Sequence, residues 1–121
     1  MEKVTLVMGA SANPDRFSYE AIRSLQRRNI PVIAIGRKDI DNEDLKIRKG
    51  MPSDIGVIHT VSLYMNVKIQ KEYYSYILSL RPKRIIFNPG TKNPEFAERA
   101  KREGIAVVND CMLVMLNAGR F

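Results

Sequence analysis

Short apolar runs alternate with segments of helical spacing along the whole chain. Val4-Thr5-Leu6-Val7-Met8 is an apolar run closed by Gly9 and reads as a strand buried on both faces. After a polar turn from Ala10 to Arg16, Ser18 is a candidate N-cap. Ile22 and Leu25 follow three apart, and Arg27-Arg28 places cations where a helix C-terminus favours them. Pro31–Gly36 is a second buried strand. The stretch Arg37–Asp54 mixes charges without a clear period, so it is expected to be irregular, with a helical turn around Asp41–Leu45.

Ile55–Tyr64, rich in β-branched residues, is the third predicted strand. Asn66 can cap a helix whose apolar positions Ile69, Tyr73, Ile77 and Leu80 recur at helical spacing until Pro82. Arg84–Phe87 is a fourth strand, ending in Asn88-Pro89-Gly90. Asn93-Pro94 sets a cap before a proline at the first helical position, and Gly104 closes that helix. Ile105–Val108 is a fifth strand. Asp110 precedes a last helix, Cys111–Asn117, apolar nearly all round and so expected in the core or against a partner. This alternation predicts one Rossmann-like α/β domain over residues 1–121, an open five-stranded parallel sheet with helices on both faces. The expected strand order is 3-2-1-4-5.

Composition narrows the classes without changing that picture. The 121 residues are 45% hydrophobic and 27% charged, which suits an ordinary globular domain. No apolar run approaches a membrane span, and the start MEKVTLVMGAS has no signal-peptide pattern. With one cysteine and one histidine, a disulfide framework and a His/Cys zinc site fall away, so a reduced cytoplasmic setting is expected. Twenty Lys and Arg against thirteen Asp and Glu leave a net charge of +7, which favours an anionic partner.

In open α/β sheets ligands sit beyond the carboxyl ends of the strands, so the residues there are the candidates. Gly9-Ala10-Ser11 can turn tightly and bring backbone amides to a phosphate. The dinucleotide pattern G-x-G-x-x-G is incomplete, since Gly9 is followed by Ala10-Ser11-Ala12-Asn13-Pro14, and no P-loop is present. After the second strand, where an NAD site keeps an acid, this chain has Arg37 and Lys38 behind Gly36. That basic pair suits a phosphate on the ribose, as in NADP or coenzyme A.

The runs Val7–Ser18 (V-M-G-A-S-x-N-P-x-R-x-S), Val61–Met65, Ile85–Thr91 and Gly104–Leu116 resemble the small stand-alone CoA-binding domain family. That family is itself similar to the CoA-binding domain of the succinyl-CoA synthetase alpha subunit. The resemblance covers nearly the whole chain. It implies that Gly9, Ala10 and Ser11, with Arg16 and Ser18, hold the pyrophosphate, and that Arg37 and Lys38 take the adenosine end. Ser62, Leu63 and Tyr64, with Asn88, Pro89 and Gly90, would line the slot for adenine and the pantetheine arm. The chain departs from the family where relatives often carry Asn-Pro after the second strand and this one has Gly36-Arg37.

Other constellations have plainer readings. His59 is expected inside a strand. Asp39, Asp41, Glu43 and Asp44 read as a solvated loop, Tyr73, Tyr74 and Tyr76 as helix packing, and Arg81, Lys83 and Arg84 as solubility charges. Cys111 stands near a predicted helix start, where thiols grow more acidic, although free cysteines are usually buried. No nucleophile–base pair stands at the strand ends. The sequence therefore predicts a binder of the nucleotide cofactor coenzyme A or an acyl-CoA, without catalysis of its own. The alternative is an NADP-dependent oxidoreductase or its relic, with Tyr64 as the proton donor. Nucleic acid is disfavoured because no recognised motif is present, and a homodimer or a partner protein is left open.

Overall fold

The computed structural model describes residues 2–121. The elements run β1 (Thr5–Ala10), α1 (Phe17–Arg27), β2 (Val32–Gly36), β3 (Ile40–Asp41), β4 (Lys46–Lys49), β5 (Thr60–Leu63), α2 (Val67–Ser79), β6 (Arg84–Phe87), α3 (Pro94–Arg102), β7 (Ala106–Asn109) and α4 (Met112–Asn117). Among the described residues the strands form one sheet in the order β3-β4-β2-β1-β5-β6-β7. Every pairing is parallel except β3 with β4.

The side-chain alternation of the strands divides the core in two. On one face Leu6, Met8, Val61, Ile85 and Phe87 pack against Tyr74 and Ile77 of α2 and Phe96 of α3. On the other, Val7, Ala34 and Ile86 meet Ile22 and Leu25 of α1 and Met112 and Met115 of α4. Strands covered on both faces are apolar nearly throughout, which explains why the runs in the sequence are continuous.

The sheet has seven strands, not five, and the added ones lie in the stretch expected to be irregular. Asn42 Oδ1 accepts from the amides of Asp44 and Leu45 at 3.0 and 2.9 Å, which forms a tight side-chain turn. That turn joins β3 and β4 as an antiparallel hairpin where a helical turn was expected. β4 then pairs with β2, so the place beside β2 assigned to Ile55–Tyr64 belongs to Lys46–Lys49. Pairing along the Ile55–Tyr64 run begins only at Thr60, and this β5 lies on the other side of β1. With the hairpin's β3 set aside, the parallel strands read 3-2-1-4-5-6 in chain order, the Rossmann order.

Smaller corrections follow the same physics. Gly9 does not end β1: it sits at φ 88° within it, at an irregularity between Met8 and Ala10, and the strand continues to Ala10. Arg16, not Ser18, is the N-cap of α1, and Ser18 is buried at the second helical position. Asn66 and Asn93 do cap α2 and α3, accepting from Ile69 and Phe96 amides at 3.0 and 3.1 Å. His59 precedes β5 rather than lying in it. Arg84 is half-buried, donating to Thr60 Oγ1 at 2.8 Å with its guanidinium over the Phe121 ring.

Candidate functional site

The first crossover from β1 leads toward β2 and the one from β5 toward β6, so the chain parts between β1 and β5. Beyond the carboxyl ends of that pair lies a cleft of about 730 Å³. Its floor is Gly9, Ala10, Tyr64 and Met65. The turn Ser11–Asn13 with Arg16, Phe17 and Ser18 walls one side, and Asn66, Ile69 and Tyr73 of α2 wall the other. One wing extends over Gly36, Arg37 and Lys38 to Ile40 and Ile47 of the hairpin. The opposite wing is Pro89, Gly90 and Thr91.

The floor depends on two glycines. A Cβ on Gly9 would stand 3.0 Å from the carbonyl carbon of Tyr64 and 3.2 Å from the Met65 nitrogen, at a positive φ that side chains avoid. Gly9 is thus set by the approach of β5, as well as by any ligand above it. A Cβ on Gly36 would lie 2.3 Å from the Ala10 carbonyl oxygen. β1 and β2 close to this distance only because Gly36 has no side chain.

The wall at α1 is preformed. Ser11 Oγ accepts from the Asn13 amide and Asn13 Oδ1 from the Asp15 amide, each at 3.0 Å, while the Arg16 amide donates to the Asn13 carbonyl. No side chain caps α1, and while the Tyr19 and Glu20 amides donate to the Arg16 carbonyl, Phe17 and Ser18 bring the positive end of the helix dipole to the cleft. Arg16, Arg37 and Lys38 make no ion pair or side-chain hydrogen bond among the described residues. No aspartate or glutamate lines the cleft. Three aspartates around the hairpin are engaged elsewhere: Asp39 accepts from the Lys49 amide, Asp41 pairs with Lys46, and Asp44 with Arg23.

The far rim is held by buried amides. Gln70 donates from Nε2 to both the Met65 and Thr91 carbonyls at 2.8 Å, tying the ends of β5 and β6 together. Its Oε1 accepts from Asn93, which also donates to the Tyr74 hydroxyl. Asn88 donates to Ser62 Oγ and the Leu63 carbonyl, and its Oδ1 accepts from the Met112 amide at 2.8 Å. Asn88 therefore caps α4 from the end of β6, while Asp110 accepts from the neighbouring Cys111 amide and from Arg120.

Of the residues expected at the site, Gly9, Ala10, Ser11, Arg16, Ser18, Gly36, Arg37, Lys38, Tyr64, Pro89 and Gly90 come together around the cleft. Ser62, Leu63 and Asn88 lie buried beneath it. Cys111 is half-buried outside the lining. Tyr64 lines the cleft, but its hydroxyl is buried without a hydrogen bond of good geometry. Burial pushes this phenol well above its ordinary pKa, and the adjacent Ser62 hydroxyl offsets only part of that. A phenol so placed is a poor proton donor. Among the lining residues that the sequence reading did not place at the site are Phe17, Ile40, Ile47, Met65, Ile69, Tyr73 and Thr91; of these, Phe17, Met65 and Thr91 stood within the quoted runs.

A Rossmann-like cleft with unpaired cations, an uncapped helix start and no acidic lining gives this α/β protein a site of positive potential. The chain belongs to the CoA binding domain family, whose profile matches residues 3–117. No curated protein matches the sequence significantly. Among solved structures it is similar to an uncharacterized protein at 42% identity and a TM-score of 0.93, covering 100% of this chain and 99% of that one. It is also similar to cell-free ID.343 from Thermus thermophilus, at 22% identity and TM-score 0.83, covering 99% and 91% of the two chains. A hypothetical protein from Pyrococcus horikoshii OT3 matches at 24% and 0.84, over 97% and 82%. The last two show the fold alone.

Proposed function

We propose that this protein binds coenzyme A or an acyl-CoA in the cleft at the ends of β1 and β5, and performs no chemistry on it. The pyrophosphate lies against the Gly9–Ser11 turn and the amides at the start of α1, with Arg16 beside it. Arg37 and Lys38 take the phosphate on the ribose. The observation that carries this reading is the pairing of three unpartnered cations with a lining free of carboxylates. A desolvated acid there would repel each phosphate; its absence, in a family of CoA-binding domains, supports the ligand. Arrangement for an NADP-dependent oxidoreductase would need Tyr64 as acid, and the burial of its hydroxyl speaks against that role. Among the described residues no helix is long and apolar enough to cross a membrane.

Isothermal titration with CoA and NADP tests the proposal, backed by thermal shift. A ligand at a hundred times its Kd adds about 2.7 kcal/mol of stability, so a CoA-dependent rise in Tm larger than that given by NADP is expected. No heat and no shift with CoA, or tighter binding of NADP, refutes it.

A further inference from the structure

The two wings of the cleft differ in chemistry. The cations Arg16, Arg37 and Lys38 stand at the start of α1 and on the β2 side, whereas the wing at the ends of β5 and β6 carries no charge. Arg120, near the α4 end of the molecule, is already paired with Asp110 at 3.0 Å.

Phe17 faces the neutral side. It is the first residue of α1 and lines the cleft, yet it is 76% exposed and belongs to neither core cluster. Its position around the helix follows from the stripe it shares with Ala21, Ser24 and Arg28. Arg28 donates to Asn117 Oδ1 at the end of α4 at 2.9 Å. The other edge of α1 faces the hairpin, where Arg23 and Gln26 both donate to the Asp44 carbonyl, at 3.1 and 3.0 Å. Phe17 therefore stands on the α4 edge, turned from the basic wing. Helical side chains lean toward the N-terminus, which here is the cleft mouth.

We propose that this wing receives an apolar acyl group carried on coenzyme A, and that Phe17 is the wall it lies against. The inference rests on the CoA reading above: once the phosphates lie at the cations, the thiol end leaves by the neutral wing. A large ring held out in water beside a ligand path gains from an apolar occupant. A second carboxylate, as on a dicarboxylic thioester, would find no cation among the residues that line this wing; Lys92, next to Thr91, lies outside the lining. The ligand class is thus a thioester of an apolar monocarboxylic acid.

The test is isothermal titration of the wild type, Phe17→Ser and Phe17→Leu with CoA, acetyl-CoA, hexanoyl-CoA and succinyl-CoA. Each buried methylene is worth about fourfold in affinity, so hexanoyl-CoA, part of whose chain is covered, should bind on the order of tenfold tighter than CoA. Succinyl-CoA should bind no tighter than CoA. Phe17→Ser should erase the hexanoyl advantage, read as the ratio of hexanoyl-CoA to CoA affinity within each variant, and Phe17→Leu should keep part of it. Equal wild-type affinity for CoA and hexanoyl-CoA overturns this inference and leaves the CoA site standing, as does an equal loss for every ligand in Phe17→Ser. Failure of all four ligands to bind the wild type overturns both.

Discussion

Asn88 is the residue whose removal most directly tests how the cleft is built. Its side chain makes three hydrogen bonds in the interior: two donated, to Ser62 Oγ at 2.8 Å and the Leu63 carbonyl at 2.9 Å, and one accepted, from the Met112 amide at 2.8 Å. In Asn88→Ala the Met112 amide loses its acceptor, and the Ser62 hydroxyl oxygen and the Leu63 carbonyl each lose a donor. An orphaned buried group costs about 1–3 kcal/mol, and the small cavity adds to it, so a loss of about 3–5 kcal/mol is expected. Against a domain stability of roughly 5–15 kcal/mol that is a large fraction. With a urea m-value of about 2 kcal/mol/M, the midpoint followed by circular dichroism should fall by roughly 2 M. Asn88→Asp sharpens the test, because it keeps the acceptor for Met112 and replaces the donor with a second oxygen facing the Leu63 carbonyl. Burial raises the pKa of such a carboxyl above its unfolded value, so its penalty is present at neutral pH and relieved as pH falls through the folded value. The Asp variant should therefore gain on the wild type between pH 7 and pH 5. A midpoint shift below about 0.5 M for Asn88→Ala, or no pH dependence for Asn88→Asp, refutes this account of the rim.

Three further outcomes are expected. In Gly36→Ala the new Cβ would stand 2.3 Å from the Ala10 carbonyl oxygen, so β1 and β2 must part, and urea unfolding should show a loss of about 1–3 kcal/mol or more; an unchanged midpoint refutes it. CoA should bind on the order of ten- to a hundredfold tighter than dephospho-CoA, given about 1.5–3 kcal/mol for charge-assisted bonds, and Arg37→Ala should remove most of the difference; equal affinities in the wild type would strip Arg37 and Lys38 of the ribose-phosphate role. Burial, then the charges of Arg84, Lys3 and Lys83, lowers the pKa of His59, so below the unfolded value of about 6.5 the folded state binds fewer protons and Tm should fall as pH drops from 7 toward 5.5. His59→Gln should flatten that slope, and a flat wild-type profile would refute it.

The doubly covered strands were legible in the sequence because burial on both faces leaves an uninterrupted apolar run, as at Leu6–Met8 and Ile85–Phe87. The hairpin was not, for the opposite reason. In Lys46–Lys49 only Ile47 points inward, and the charged residues around it suit a strand near the sheet edge, where they discourage pairing with another chain. Ile55 and Ile58 misled in the other direction. Both are buried in the α2-side core, so the run looks like a strand, but Gly56 at φ 76° breaks the extended chain between them. The strand order failed as a consequence: with β4 unseen, the position beside β2 was given to the next apolar run.

The site divides along the same line between local and distant cause. Gly9, Arg37 and Lys38 could be found because each lies at or just past the carboxyl end of an apolar run, and the fold class alone sends ligands there. Asn88 stood in the same position yet faces inward, because its amide has partners on β5 and α4 that only the assembled sheet brings near. Gln70 offered no local signal at all: a polar residue on a helix reads as solvent-facing, and here it is buried because the Met65 and Thr91 carbonyls at the rim have no strand partner to satisfy them. The two amides do what a strand ladder would do if β5 and β6 continued. Where the sheet stops pairing so that a cleft can open, side chains must take over the hydrogen bonding of its last carbonyls. Buried Asn and Gln beside the ends of parallel strands are therefore a consequence of having a cleft, and they position its walls from outside its lining.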